Sequence, residues 1–294
     1  MSSNDVVLSV AIVTYNSQEI INDCLDSIYK YNDLGDQLEI ILVDNSPADS
    51  SAELFRTISR EYSDVVLIRS EHNGGYGYGN NLGINAAHGR YILILNPDTR
   101  LTMPLFKAAI AQLEDEFTVI VGVKLIYEDF SPQISFFFRP EYQNVLTKPL
   151  TKLLNRTNMF SNRLMITSGS CMFMRKDKFV EIGMFDDGIF LGNEEAFIAK
   201  KFILADRKNR FVFMKNHMII HLYKESGCSA YSLKTLCDSH LYYFKHFDMS
   251  YKLFYYNKLI LHYIKYMLSF LTKDESGKSL FSLEIQTIKS VFRQ

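Results

Sequence analysis

The chain has 294 residues, 47% of them hydrophobic and 22% charged, with 14 Gly and 6 Pro. This composition excludes a disordered or collagen-like polymer and fits one α/β domain of roughly 200–250 residues with an appendage. Thirty-two Lys and Arg stand against 33 Asp and Glu, a net charge of −1, so no global basic field recruits nucleic acid.

The amino terminus is apolar only from Val6 to Val13 and lacks a basic leader, so it reads as a strand covered on both faces rather than a signal peptide. A cytoplasmic setting is expected. The four cysteines, Cys24, Cys171, Cys228 and Cys237, contain no CxxC pair and fit reduced thiols better than a zinc knuckle or a disulfide framework. After the polar corner Thr14-Tyr15-Asn16-Ser17, the residues Ile20, Ile21, Cys24, Leu25, Ile28 and Tyr31 recur at helical spacing. Leu38 to Val43 predicts a second strand, Asp44-Asn45-Ser46-Pro47 a turn, Ala52 to Tyr62 a helix and Val65 to Arg69 a third strand. Such alternation predicts an α/β fold on a mostly parallel sheet flanked by helices, with ligands at the carboxyl ends of the strands. Thr14, Asp44 and Asn73 fall along that edge.

Five glycines lie between Gly74 and Gly83, expected as a loop whose backbone approaches a ligand or simply turns tightly. No GxGxxG occurs there, and Gly79 is followed by Asn80-Asn81 instead of Lys-Ser/Thr, which disfavours a Rossmann or P-loop site. Tyr91 to Leu95 is a strand stopped by Asn96-Pro97-Asp98, and Met103 to Val123 is a further βα-type unit. Arg139 to Arg163, with five basic residues against Glu141 alone and weak periodicity, reads as a mobile basic loop. A strand and helix resume over ITSGSCMFMRKDKFVEIGMFD, and Phe211 to Phe213 and Met218 to His221 supply the last strands. Helical character begins at Ser239, dividing the chain into a catalytic domain, 1–235, and a helical extension, 236–294. From Ser239 to Gln294 eight Lys or Arg face four Asp or Glu, and Leu253, Tyr256, Ile260, Ile264, Met267 and Leu271 form an apolar stripe. Lys258, His262 and Lys265 interrupt any transmembrane span. This tail can lie on an anionic membrane, or pack on the domain or on a second copy as a homodimer.

The chemistry-bearing residues are soft signals one at a time. Asp44 can accept from a nucleobase or ribose, or merely cap a turn. Asp98 at the strand edge can share a hard divalent cation with a diphosphate, or belong to an ordinary Asx-Pro turn. Glu194 and Glu195 are neighbours about 100° apart on a helix, so one can face a cleft and, partly buried, act as general base; a solvated helix start is the plainer reading. His221, after Met218 to Ile220, is either a core histidine or a neutral imidazole ligand to the same cation as Asp98.

Their order along the chain is more specific. VAIVTYNSQEIINDCLDSI, ILVDNSPADSS, HNGGYGYGNNLGINAAHGRYILILNPDTRL, SGSCMFMRKDKFVEIGMFDDGIFLGNEE and IIHLYKESGCS together resemble the inverting nucleotide-sugar glycosyltransferases of family 2, which have the GT-A fold. The NPD motif and the closing HLYKES resemble the rhamnosyltransferase-type branch that builds bacterial capsule and O-antigen chains. The resemblance implies that Thr14, Tyr15, Asn16 and Asp44 hold the nucleoside of a UDP- or dTDP-sugar, with Asn73, Gly75 and Asn81 on its ribose-phosphate side. Asp98 takes the place of the last acid of a DxD motif and binds Mg or Mn together with His221. Asn96 replaces the first acid and counts with the nucleotide contacts, leaving one negative charge fewer. Glu195, with Glu194 beside it, falls at the catalytic base. The acceptor is then a glycan or lipid-linked oligosaccharide at the inner face of the cytoplasmic membrane. Asn96 and the altered Ala196-Phe197-Ile198 also keep open a catalytically silent sugar-nucleotide or glycan binder. A sugar nucleotidyltransferase would need a glycine-rich loop with a basic residue after the first strand, and Thr14-Tyr15-Asn16-Ser17 offers none.

Overall fold

The computed structural model describes residues 6–222, 230–272 and 274–293. In chain order, β1 (Leu8–Thr14), α1 (Ile21–Lys30), β2 (Leu38–Asp44), α2 (Ala48–Glu61), β3 (Val66–Arg69), α3 (Gly75–Ala86) and β4 (Tyr91–Leu95) build the first half. Because a helix returns the chain after each strand, β3, β2, β1 and β4 lie side by side and parallel. Alternation along β1 sends Leu8, Val10 and Ile12 to the side of α1 and α2, and Ala11 and Val13 to the side of α3. Apolar residues on both faces are what make this sheet fully buried.

The second half comprises β5 (Thr99–Leu101), α4 (Phe106–Leu113), β6 (Thr118–Ile126), β7 (Phe136–Phe138), α5 (Thr147–Arg156), β8 (Met165–Thr167), β9 (Cys171–Arg175), α6 (Lys176–Glu181), α7 (Glu194–Ala205) and β10 (Arg210–His221). Strand β9 enters antiparallel between β4 and β6, β10 pairs parallel with β6, and β5 closes the edge antiparallel to the end of β10. The result is an α/β fold on one eight-stranded, mostly parallel sheet of order β3-β2-β1-β4-β9-β6-β10-β5. Phe211 to Phe213 and Met218 to His221 are one strand, β10, with a register shift between Met214 and Met218.

Two expectations are corrected. The glycine-rich stretch is not a loop but α3, and its glycines serve the approach of helix to sheet. A Cβ at Gly79 would sit 2.7 Å from Val13 Cγ1, and one at Gly83 would sit 3.2 Å from Val43 Cγ2 and 3.3 Å from Ala11 Cβ. The segment from Arg139 to Arg163 is not a loop either: it carries α5, flanked by the antiparallel pair β7 and β8. Periodicity misses α5 because its buried face is polar. Thr147, Thr151 and Asn155 recur every four residues, and Asn155 Oδ1 accepts from Ser135 N at 2.7 Å while its Nδ2 donates to Phe136 O at 2.9 Å.

Three carboxyl-terminal helices follow, α8 (Ala230–His246), α9 (Lys252–Leu271) and α10 (Glu275–Phe292). Helicity thus begins at Ala230 rather than Ser239, and the division at 235/236 falls inside α8. Leu233, Cys237 and Phe244 of α8 and Ile288 and Phe292 of α10 share one core cluster with Phe197 and Phe202 of α7. All six residues of the apolar stripe on α9 are exposed, from 46% at Ile264 to 80% at Leu271, so α9 packs through its other side, by Phe254, Leu259 and His262. No helix among the described residues is long and apolar enough to cross a membrane. Cys24, Cys171 and Cys237 are buried free thiols, while Cys228 lies outside the described residues.

Candidate active site

The parallel register of β1 and β2 places Thr14 opposite Asp44 at the carboxyl ends of the two strands. Both are fully buried. Asp44 Oδ1 accepts from Thr14 Oγ1 at 3.1 Å and from Ser46 through N at 3.0 Å and Oγ at 2.5 Å. Asn16, held at φ 51°, donates its backbone N–H to Ser46 Oγ at 2.7 Å, which folds the corner after β1 onto the turn after β2. Asp44 Oδ2 and Asn45 Oδ1 are buried yet find no partner among the described residues. Buried acceptors of this kind are normally satisfied, so these two point to donors supplied by a ligand. Tyr15, the residue after Thr14, is 52% exposed and offers a ring face.

The start of α3 forms the next wall. Asn73 Oδ1 accepts from Gly75 N at 3.1 Å. Gly75 has φ +91°, and a Cβ there would lie 2.1 Å from Phe190 O, so glycine is required twice over. Tyr76 N donates to the same Phe190 carbonyl at 3.1 Å. Asn81 donates to Phe185 O at 3.0 Å and accepts from Phe185 N at 3.2 Å, so both ends of its amide clamp the chain leading to α7.

The cation-type pair is built by the far edge of the sheet. Antiparallel pairing sets His221 opposite Thr99, and Leu222 N donates to Asp98 O at 2.8 Å, which brings His221 Nε2 to 3.5 Å from Asp98 Oδ1. Gln133 Nε2 donates to His221 O at 2.6 Å, so its Oε1, 3.0 Å from His221 Nδ1, accepts that ring proton. The Nε2 lone pair is therefore turned toward Ser170 Oγ, 3.3 Å away, and toward the Asp98 carboxylate. Two electron-pair donors facing one another, with the imidazole oriented by an outer partner, suit a divalent cation between them. No group of three or more His, Cys, Asp or Glu able to hold a metal occurs among the described residues, so such a cation would take its other ligands from substrate or water. Asn96 donates its N–H to Ser170 O at 2.9 Å, and its buried Oδ1 has no partner among the described residues. Tyr223 to Ser229, including most of HLYKES, lie outside the described residues.

Glu194 and Glu195 open α7, after Gly192 at φ 83° and Asn193 at φ 78°. This left-handed pair turns the chain so that Gly192 N donates to Glu194 Oε1 at 2.8 Å, and Glu194 is 5% exposed. Glu195 instead lines a cavity of about 720 Å³ between α5, β7, α8 and α9. Burial pushes both carboxyls above the usual carboxylate range, and the charge of Glu195 pushes Glu194 further. Tyr76 ties the parts together. Its hydroxyl donates to Gly169 O at 2.9 Å, and a Cβ at Gly169 would lie 3.8 Å from both Tyr76 Oη and Glu195 Oε2. Burial, and then the charges of Glu194, Glu195 and Asp98, hold the Tyr76 phenol well above its usual pKa. Tyr76, Gln133 and Ser170 were not legible as site residues in the sequence. Ser170 lies within Ser168-Gly169-Ser170, at the start of the family-like SGSCMFMRKDKF segment, which is the available signal.

Comparison with known proteins identifies the family and the fold type. The family model "Glycosyl transferase family 2" matches residues 9–183. "Glycosyltransferase GlyG" of Streptococcus pneumoniae serotype 4 is 22% identical over 73% of this chain and 70% of its own length. The poly(ribitol-phosphate) beta-glucosyltransferase of Bacillus spizizenii is 37% identical over 31% of this chain, and the match spans only 14% of that longer relative. The mannosyltransferase PcManGT from Pyrobaculum calidifontis, solved with GDP-Man and Mn2+, superposes over 97% of this chain and 85% of its own, with a TM-score of 0.63 at 15% identity. That likeness carries the fold, which is of the GT-A type.

Proposed function

The chain belongs to glycosyl transferase family 2, and on that premise we propose that it is an inverting glycosyltransferase. It moves a sugar from a UDP- or dTDP-sugar to a hydroxyl of a glycan or lipid-linked oligosaccharide in bacterial surface-polysaccharide synthesis. The observation that supports this reading is the placement of Glu195 on a cavity beside Gly169, to which Tyr76 also bonds, together with the pairing of Asp98 and His221 at the sheet edge.

Thr14 and Ser46 orient the Asp44 carboxylate so that its second oxygen receives an N–H or hydroxyl of the nucleoside. Asp98 and His221 would hold Mg or Mn, and that cation would supply positive charge to offset the departing diphosphate. Glu195 takes the proton of the acceptor hydroxyl as its oxygen bonds to C1 of the sugar. The C1–O bond to the diphosphate breaks with its electron pair leaving on the diphosphate oxygen, and C1 inverts. Glu194, tied to Gly192, keeps the helix start in place and is the neighbour rather than the base. The rhamnosyl-type branch and the capsule or O-antigen setting remain part of this proposal.

The exposed stripe of α9 lies on the anionic inner face of the cytoplasmic membrane, consistent with the basic excess from Ser239 onward. Incubating the protein with nucleotide sugars and Mn2+ or Mg2+ and measuring nucleoside diphosphate release tests the activity. Release that depends on metal and on Glu195 supports it. Tight nucleotide binding without turnover would instead identify the silent binder that Asn96 in the first acid position allows.

A further inference from the structure

The cavity that Glu195 lines is not electrically neutral. Lys148 and Lys152, four residues apart on α5, stand on one wall, and Lys258 of α9 stands on another, its ammonium 5.4 Å from the centroid of the Phe254 ring. Glu195 is the single acid on the lining among the described residues. Neither Lys152 nor Lys258 forms an ion pair with a carboxylate among the described residues. The histidines add nothing to this charge, since burial and then Lys258 hold His240 neutral, with its pKa lowered to about 3. The rest of the wall is largely apolar, with Phe138 and Phe254 prominent. Ammonium groups are point charges with rotating donors, suited to a tetrahedral anion approached from several sides. A planar carboxylate is better matched by a guanidinium fork.

We propose that this cavity is the acceptor channel and that it takes an acceptor carrying a phosphate group, bound by Lys148, Lys152 and Lys258 while a nearby hydroxyl is presented to Glu195. The inference rests on the glycosyltransferase reading and adds the acceptor class to it. The phosphate can belong to a polyol phosphate or to an isoprenoid diphosphate carrier, and both share the chemistry that the lysines recognise.

The test is calorimetric titration of the full chain with glycerol 3-phosphate and with geranyl diphosphate, using glycerol and geraniol as phosphate-free controls. Both Lys152→Ala and Lys258→Ala are expected to weaken phosphate binding about tenfold or more, the size of one charge-assisted hydrogen bond, with partial recovery in Lys152→Arg. Asp98→Asn should leave it unchanged, which separates this site from the diphosphate side. Binding of glycerol 3-phosphate alone assigns a polyol phosphate, and binding of geranyl diphosphate alone an isoprenoid carrier. No binding by the wild type, equal binding of the controls, or unchanged affinity in the lysine variants overturns the proposal. Parallel titration with UDP, dTDP and GDP plus Mn2+ keeps the two readings apart. Nucleotide binding with lysine-independent phosphate binding sinks only the acceptor proposal, whereas lysine-dependent phosphate binding without any nucleotide binding sinks the glycosyltransferase reading.

Discussion

His221 Nε2 stands 3.5 Å from Asp98 Oδ1 because two hydrogen-bonded backbones meet there, not because the residues are near in sequence. The β5–β10 pairing supplies the approach, and Gln133 fixes which ring nitrogen faces the carboxylate. A site assembled from edge pairing in this way depends on the orientation of the imidazole as much as on its presence.

Asp98→Asn and His221→Ala are therefore expected to abolish the gain in nucleoside diphosphate affinity that Mn2+ gives the wild type. Gln133→Ala, which frees the ring without removing it, should reduce metal affinity by about 10–100-fold. Titrations with and without Mn2+ read this directly, and an undiminished metal effect in Asp98→Asn would place the cation elsewhere.

Replacing Glu195, the proposed base, should separate chemistry from binding. Glu195→Gln is expected to lower kcat by about 10²–10⁴-fold with donor affinity nearly unchanged, and Glu194→Gln to cost much less. Because burial raises the Glu195 pKa and the base must be ionised, the acid limb of the rate profile should lie above the ~4.3 of an ordinary glutamate. Initial rates across pH would show it, and a greater loss in Glu194→Gln would reverse the two roles.

Glu194 carries a stability consequence of opposite sign to a salt-bridged acid. Its folded pKa lies above its unfolded one, so between the two the folded state holds more protons and stability falls as pH rises. Glu194→Gln keeps an oxygen to accept from Gly192 N and removes the charge. Melting curves should show the variant more stable than wild type near pH ~8.5, with the difference vanishing below the ~4.3 of an unfolded glutamate.

Gly79→Ala tests why α3 is rich in glycine. In an exposed helix this change would stabilise by up to about 1 kcal/mol. Here the new methyl meets Val13 Cγ1 at 2.7 Å and Asn45 Nδ2 at 2.9 Å, so a loss of about 1–3 kcal/mol is expected in denaturant melts.

The stripe on α9 predicts flotation with liposomes containing anionic phospholipid. Ile260→Asp with Ile264→Asp, both on the exposed face, should abolish flotation without lowering the melting temperature. Loss of a dimer in these variants, read by light scattering, would assign the stripe to a second copy instead.

The sheet was legible because β1, β2 and β4 are short β-branched runs buried on both faces, a pattern with few other meanings. The α3 helix was not, since five glycines between Gly74 and Gly83 argue against a helix unless its distance from the sheet is known. The α5 helix escaped for the converse reason, that Thr147, Thr151 and Asn155 bury polar groups where periodicity expects apolar ones. Candidate residues in ordered motifs, such as Asp44, Asp98 and Glu195, could be picked out locally. Gln133 and Tyr76 could not, because their roles come from β10 returning to the edge and from α3 lying against Gly169.

The twin bonds between Asn81 and Phe185, with Gly75 seated against Phe190, hang the stretch leading to Glu195 from α3 rather than from the strands beneath it. The nucleotide-side helix and the acidic segment are thus joined by direct bonds, so a substitution that displaces the start of α3 is expected to displace Glu195 with it.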